Sequence, residues 1–197
     1  MKRMFVVFVA MFFVLLLPAP LVSQSLDWQI QFQTGNTGES RPINEIIMME
    51  NGEEFSITVR ADSDSYCYVV FLSSEREIYQ LHDDAFIRRG TERSIGPFEI
   101  VPPSGTETIY VIMSLSRQTN LERLIEANER NPSSRQNFNN LYREIGTMQA
   151  SVSHRGEPGT RIIPGGGSFR GAGNENTSFA TRFTGNNLYV RTITIDH

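Results

Sequence analysis

The residues of this chain best suited to chemistry are three consecutive polar ones, His82, Asp83 and Asp84. An imidazole and two carboxylates can hold a metal ion or exchange protons. A metal site needs three or four ligands that converge in space, whereas consecutive residues of an extended chain point in different directions. We therefore interpret the tripeptide as part of a surface loop, with a weak cation site as the alternative.

The other candidate residues also favour structural roles. Cys67 is the only cysteine, and its apolar neighbours in the sequence predict a small buried side chain rather than a nucleophile. His154 and His197 lie in polar surroundings, so we expect both to be solvated. Asp62 and Asp64 match a fragment of a calcium loop, but the glycine and the distal glutamate of that loop are missing, which favours a turn.

Motifs of known enzyme classes are missing from the sequence. It has no Gly-x-Ser-x-Gly elbow, and its glycine-rich stretch lacks the Gly-Lys-Ser/Thr ending that holds a phosphate. Carboxylate pairs such as Glu53 and Glu54 carry out acid–base chemistry only in a cleft that shifts their pKa values. We therefore predict no catalytic, cofactor-binding or metal-binding residues, no cofactor and no enzymatic activity. Asn176-Thr177-Ser178 is a glycosylation sequon for a host that modifies exported chains.

The first 25 residues have the three-part layout of a secretory signal peptide. Lys2 and Arg3 precede an apolar run at residues 5–17, and prolines and the small residues Ser23 and Ser25 follow. The run has 13 residues, against the ~20 that a membrane-spanning helix needs. We predict cleavage rather than anchoring, a periplasmic or secreted protein, and no stable membrane anchor after cleavage.

Size and charge narrow the function further. Residues 26–197 suffice for one domain with a substantial core. Because Lys2 is the only lysine and leaves with Arg3, cleavage would lower the net charge from −4 to −6. The remaining arginines are dispersed along an acidic chain, which excludes a nucleic-acid partner.

Alternating apolar and polar residues predict several strands. Residues 28–33 and 55–61 alternate strictly, which is typical of half-buried strands, and residues 43–49 form a shorter candidate that ends at Asn51-Gly52. Residues 66–72 are apolar at successive positions and predict a central strand that is covered on both faces. Residues 34–41 predict a loop.

Four further segments complete the predicted strands. They lie at residues 77–81, 93–101, 106–115 and 188–195. In residues 106–115 the inner face carries Ile109, Val111, Met113 and Leu115. The apolar phase slips inside residues 188–195, so we expect either a β-bulge near Arg191 or a strand that is covered on both faces.

Two helices are predicted late in the chain. Thr119 and Glu122 fit a capping box before a stripe of Leu121, Leu124 and Ile125. A second stripe at Phe138, Leu141, Tyr142 and Ile145 begins at Ser133 or Ser134. These helices should lie against the sheet or each other, and their arginines (Arg117, Arg123, Arg130, Arg135 and Arg143) form either a solvated face with ion pairs or a binding face.

The whole pattern predicts a mainly β protein. We expect an antiparallel, immunoglobulin-like β-sandwich with two short helices inserted late in the chain. The expected organisation is a signal peptide at residues 1–25 and a single domain at residues 26–197. Within that domain, residues 116–150 form a helical insertion and residues 155–178 a flexible glycine-rich loop.

One part of the chain, about residues 45–115, resembles a known family. It contains Phe55-Ser-Ile-Thr-Val-Arg-Ala-Asp62, Tyr66-Cys-Tyr-Val-Val-Phe71 and Tyr79-Gln-Leu81, followed by Phe98-Glu-Ile-Val-Pro-Pro-Ser-Gly-Thr-Glu-Thr108 and Val111-Ile-Met-Ser114. This order of strands and turns resembles the domain-of-unknown-function family 4384. The resemblance implies a small β-sandwich that is exported alone or appended to signalling or protease-like domains, and it supplies no catalytic residues.

The sequence thus predicts an exported, non-enzymatic β-sandwich domain that binds a protein or an envelope component. Two alternatives stay open. One is a cell-envelope hydrolase, which would need a deep pocket with perturbed carboxylates. The other is a subunit of a surface assembly that is joined by strand addition at an exposed sheet edge.

Overall fold

The structure is a computed structural model that describes residues 26–35, 39–153, 161–164, 179–185 and 187–197. The predicted signal peptide, His154 and the Asn176 sequon lie outside the described residues. No helix in the described part of the chain has both the length and the apolar content to span a membrane.

Within the described residues, nine strands come first, then two helices, then three more strands. In chain order they are β1 (Leu26–Thr34), β2 (Glu39–Arg41), β3 (Ile47–Met48), β4 (Glu54–Ala61), β5 (Ser65–Leu72), β6 (Ile78–Gln80), β7 (Phe86–Ile87), β8 (Glu92–Glu99), β9 (Thr106–Ser114), α1 (Thr119–Arg130), α2 (Arg135–Ser153), β10 (Arg161–Pro164), β11 (Phe179–Gly185) and β12 (Leu188–Asp196).

The strands form two sheets. The first has the order β10-β11-β1-β4-β8, with β2 also paired to β1. The second has the order β3-β12-β9-β5-β6, with β7 also paired to β5. All these pairs are antiparallel except β3–β12, which is parallel.

The main core lies between the two sheets, which confirms the predicted β-sandwich with helices late in the chain. Alternate residues of β1 and β4 meet those of β5, β9 and β12 there. Trp28 is 1% exposed, and its ring stacks on Phe183 at a centroid distance of 4.7 Å. Because side chains of a strand alternate between its faces, the strict sequence alternation of β1 and β4 fits this one-sided core.

The helices form a third layer on the outer face of the second sheet. Leu121, Ile125, Leu141 and Ile145 pack with residues such as Ile112 in a second apolar cluster. Hydrogen bonds tie the layers together, because Tyr68 Oη donates to Glu122 Oε1 (2.8 Å) and Gln149 Nε2 donates to Thr192 Oγ1 (2.8 Å). The second sheet is therefore covered on both faces.

This three-layer arrangement explains the two strands whose patterns were not amphipathic. In β5, Cys67 and Val69 belong to the core between the sheets, while Tyr68 and Val70 belong to the cluster under the helices. The prediction of a doubly covered central strand is confirmed. In β12 the register with β9 runs unbroken, so the β-bulge near Arg191 is wrong and the alternative of two covered faces is right.

Several predicted boundaries were wrong. The 34–41 loop contains β2, the 43–49 strand is reduced to β3, and the 155–178 loop contains β10, which pairs with β11 through its backbone. Helix α2 has 19 residues and is not short. The capping box does not form, because Gln118 is the N-cap residue of α1 and Glu122 binds Tyr68 and Arg117 instead.

Candidate functional site

A candidate site is a cavity at one end of the sandwich, with a volume of about 340 Å³. Both sheets contribute to it. From the first sheet come the end of β8 and Phe55 of β4, and from the second come Phe71 of β5, Tyr79 of β6 and Glu107 of β9. Ser73, Ser74, Glu75 and Glu77 of the β5–β6 connection, together with residues 100–103, complete the wall.

The walls of this end cavity are largely apolar. Phe71, Leu81 and Phe98 are only partly buried and pack against the edge of the main core. At the mouth, Tyr79 is 44% exposed and Val101 is 60% exposed. These are two of the six large hydrophobic residues that stand out as exposed among the described residues. A concave apolar surface with a few polar groups is the usual form of a ligand site.

A buried carboxylate, that of Glu107, anchors the polar side of the cavity. Glu107 is 5% exposed. Its Oε2 accepts a hydrogen bond from the Ser74 backbone N–H (3.0 Å), and its Oε1 accepts one from Ser74 Oγ (3.2 Å). Buried carboxylates need such partners, because an unpaired buried charge costs several kcal/mol (about 3–5). The cavity wall at Ser74 is therefore held firmly in place.

The side chain of His197 is fully buried on the other side of Glu107. His197 Nε2 lies 3.2 Å from Glu107 Oε1, and His197 Nδ1 lies 3.0 Å from Asn51 Oδ1. The His197 backbone exchanges two hydrogen bonds with Gly105, of 2.9 and 3.1 Å. The expectation of a solvated His197 is wrong, because backbone pairing with Gly105 brings the imidazole to the carboxylate.

The contacts do not have the order of a catalytic triad. In a Ser-His-acid triad the imidazole lies between the hydroxyl and the carboxylate, so that it can take the hydroxyl proton. Here the carboxylate of Glu107 lies between Ser74 Oγ and His197 Nε2. This arrangement ties Ser74 and His197 to β9 through Glu107. The His197 imidazole is not hydrogen-bonded to the Ser74 hydroxyl and so is not placed to take its proton.

The mouth of the cavity carries negative charge. Glu75, Glu77 and Glu99 are exposed lining residues, and neither lysine nor arginine is among the lining residues that the structure describes. Tyr79 Oη donates a hydrogen bond to Glu77 Oε2. That bond, together with burial and the charges of Glu77 and Glu75, raises the pKa of Tyr79 to about 12, so its hydroxyl stays a neutral donor.

A second cavity, of about 510 Å³, lies where α1 meets β5 and the 83–86 segment. Acidic residues dominate its lining, but Arg117 Nε lies 2.8 Å from Glu122 Oε2 inside it. Burial, and then the charges of Asp83 and Glu126, raise the pKa of the Glu129 carboxyl. Among the described residues, no group of three or more His, Cys, Asp or Glu side chains could hold a metal ion.

The tripeptide 82–84 is held by an arginine. Arg93 Nη2 lies 3.0 Å from Asp84 Oδ2 and donates to the Phe86 carbonyl (2.8 Å), while Arg93 Nη1 contacts His82 Nε2. Burial, and then the charge of Arg93, lower the pKa of His82. The charge partner of Asp84 is thus a guanidinium, as suits a loop that is tied to the sheet.

The remaining predicted residues have structural positions. Cys67 is fully buried in β5, and burial raises the pKa of its thiol to about 12, as expected for an inert side chain. Asp64 Oδ1 accepts a hydrogen bond from the Arg89 N–H (2.7 Å) at the predicted turn. Glu53 Oε2 accepts one from the Glu50 N–H (3.2 Å) and lines neither of the two cavities.

The arginines of the helical segment fit the solvated-face interpretation. Arg117, Arg123, Arg130, Arg135 and Arg143 are all exposed. Arg130 Nη2 lies 2.8 Å from Glu126 Oε2, four residues earlier on α1, and Arg123 Nη2 donates to Asn120 Oδ1 (2.9 Å). Exposed pairs of this kind are ordinary features of a helix surface.

Glu107, Ser74 and His197 were missed as site residues. The sequence held one usable signal, because Glu107 stands two positions before Ile109 and therefore shares the inner face of β9. A charged residue in phase with core positions predicts a buried carboxylate that needs partners. Nothing in the local sequence indicates that Ser74 and His197 supply them from 33 and 90 residues away.

Comparisons of the chain with protein-family models, with curated proteins and with solved structures give no match.

Proposed function

We propose that this protein is an exported, non-enzymatic binding module whose end cavity receives part of a protein partner or an envelope component. The observation that carries the proposal is the partly buried apolar wall of the cavity, together with exposed Tyr79 and Val101 at its mouth. Exposed apolar side chains around a concave apolar surface are typical of a site where a partner docks.

The expected location outside the cytoplasm rests on the signal-like layout of residues 1–25. Mass spectrometry of the exported protein should find a new N-terminus within residues 22–28. An intact Met1 in the mature envelope fraction would contradict this part of the proposal.

The stretch that resembles the domain-of-unknown-function family 4384 forms most of the end cavity, and we propose that the chain is related to this family. The resembling stretch, about residues 45–115, supplies strands from both sheets and most of the cavity lining. Its Gly-Thr-Glu turn, residues 105–107, places the carboxylate that holds Ser74. The relation stays a proposal that rests on this order of motifs.

Strand addition has less support than the cavity. The outer strand β8 pairs with β4 in the described structure, so its other edge is one place where a further strand could add. That strand contains Pro97, which lacks a backbone N–H, and charged residues at both ends. Proline and charge on an edge strand are common devices that block further pairing.

The proposed function is tested by site-specific photo-crosslinking in cells that export the protein. A benzophenone side chain at Val101 should give one discrete crosslinked product, because this position lies at the cavity mouth. The same side chain at exposed Arg143 on α2 is the matched control and should not give that product. An identical pattern at both positions, or no product at Val101, would overturn the proposal.

A further inference from the structure

We propose that the end cavity selects a partner segment in which a large apolar side chain stands next to an arginine or a lysine. This inference rests on the proposed function and adds the chemistry of the occupant. It follows from the combination of an apolar wall and three exposed carboxylates, those of Glu75, Glu77 and Glu99, among the described lining residues of the mouth.

The apolar part of the occupant is argued from the wall. Phe71, Leu81 and Phe98 leave part of their surface uncovered inside the cavity, and Val101 stands exposed above them. A volume of about 340 Å³ is at the low end of the ~300–1,000 Å³ typical of ligand pockets. One large aliphatic or aromatic side chain fits this space better than a whole helix or an extended lipid chain.

The cationic part is argued from the mouth. Glu75, Glu77 and Glu99 are exposed around the opening, and the described part of the lining contains neither lysine nor arginine. Tyr79 Oη donates a hydrogen bond to Glu77, which leaves Glu75 and Glu99 to face solvent and an approaching partner. Charges at the rim of an interface select and steer partners of opposite sign.

The buried carboxylate of Glu107 is already occupied by partners within the protein, whereas Glu75 and Glu99 at the mouth are exposed. Glu107 already accepts two hydrogen bonds from Ser74 and contacts His197. The cation is therefore expected at the mouth beside Glu75 and Glu99, while the apolar side chain enters the cavity.

The second cavity differs from the end cavity because an arginine of the protein lines it. Its carboxylates already have a cationic neighbour, because Arg117 lines it and forms an ion pair with Glu122. An incoming cation would compete there with a side chain of the same protein. In the described part of the chain, neither lysine nor arginine lines the end cavity to compete in this way.

The test uses three short probes with the ¹⁵N-labelled protein. Each is an acetylated, amidated tetrapeptide with glycine at both ends and, between them, Phe-Arg, Phe-Gln or Phe-Glu. Amide chemical shifts are followed during titration, with Ser74 and Val101 as reporters of the cavity. We expect the Phe-Arg probe to bind most tightly and the Phe-Glu probe most weakly, with a difference of about three- to tenfold between Phe-Arg and Phe-Gln, the size that one or two exposed ion pairs supply.

Charge-removal variants separate the contribution of the mouth from net charge. The double variant Glu75→Gln, Glu99→Gln should abolish the preference for Phe-Arg over Phe-Gln. The double variant Glu45→Gln, Glu144→Gln makes the same charge change away from the cavity lining and should keep the preference.

The outcomes distinguish the two proposals. Equal binding of all three probes at the cavity, or equal loss of preference in both double variants, overturns the charge selection and leaves the binding module standing. The absence of cavity shifts with every probe overturns the inference together with the cavity as a binding site.

Discussion

Replacement of Gly105 by alanine tests the contact that holds the cavity wall. A Cβ atom at Gly105 would lie 2.6 Å from Ser74 Cβ, which is closer than real Cβ atoms come to a neighbour, and 3.1 Å from Ser74 Oγ, which is a tight contact. Ser74 cannot move away freely, because its N–H and its hydroxyl both bind Glu107. Gly105 cannot move away freely either, because its backbone exchanges two hydrogen bonds with His197.

The magnitude follows from two opposing effects. An extra methyl group in a packed place costs about 1–3 kcal/mol. The loss of glycine from the unfolded chain returns about 0.4–1 kcal/mol of that cost. We therefore expect Gly105→Ala to lower the free energy of unfolding by about 1–2 kcal/mol, which for a domain of this size lowers Tm by roughly 2–8 °C.

The assay is urea unfolding followed by the fluorescence of Trp28, the only tryptophan, which is buried between the sheets. Gly146→Ala is the matched control, because nothing lies within 4 Å of a Cβ atom there. Gly146 is inside helix α2, where alanine should add about 0.5–1 kcal/mol of stability. The two glycine substitutions should therefore have opposite signs.

A double-mutant cycle identifies the clashing atom. Ser74→Gly removes both the Cβ and the hydroxyl, whereas Ser74→Ala removes only the hydroxyl. The destabilisation by Gly105→Ala should shrink in the Ser74→Gly background and persist in the Ser74→Ala background. A Gly105→Ala protein as stable as wild type, or equal rescue by both Ser74 variants, would refute the reasoning.

Three further predictions concern the rest of the sandwich. Val70 is fully buried under the helices, so Val70→Asp should lower the free energy of unfolding in urea by about 3–5 kcal/mol. An unfolding midpoint near that of wild type would contradict the assignment of β5 as a strand covered on both faces. The thiol of Cys67, with a pKa raised to about 12 by burial, should react with a maleimide only after unfolding; labelling of the native protein at the rate of free cysteine would contradict its position. The pKa of His82 is lowered by burial and by Arg93, so the unfolded chain binds more protons below about pH 6.5 and stability falls as the pH drops through that value. His82→Gln should make this fall smaller, and an unchanged pH profile of the free energy of unfolding would argue against the contact.

Sequence periodicity predicted the strands whose two faces differ, and the reason is physical. In β1 and β4 one face meets the opposite sheet, so apolar residues must alternate along the strand. The unbroken apolar stretch of β5 predicted a strand covered on both faces, which the helices and the first sheet supply. These predictions needed only the order of apolar and polar residues within each strand.

Features that depend on distant partners were not predictable. The backbone of β10 pairs with β11, although its glycine-rich surroundings indicated a loop. Tyr142 matches the apolar stripe of α2 and is nevertheless 48% exposed, with its ring stacked on that of Phe138. His197 is buried because Gly105, far away in the sequence, pairs with its backbone.

The candidate site was the least predictable part. Each of its components has an ordinary local explanation: a proline turn, a strand end, a short acidic loop. The cavity exists only because the ends of the two sheets bring these components together. The sequence could indicate the buried carboxylate of Glu107 through its phase in β9, but it could not indicate the volume beside it.

The most direct test of the account is the position of a bound probe, measured by intermolecular nuclear Overhauser effects between the phenylalanine ring of the Phe-Arg tetrapeptide and methyl groups of the protein. We expect contacts from the ring to the methyls of Leu81, Ile100 and Val101, which line the end cavity. Ile46, just before β3, and Met48, in β3, are exposed and do not line the cavity. Contacts only to these two residues would place the binding surface elsewhere and contradict the proposal that the end cavity is the binding site.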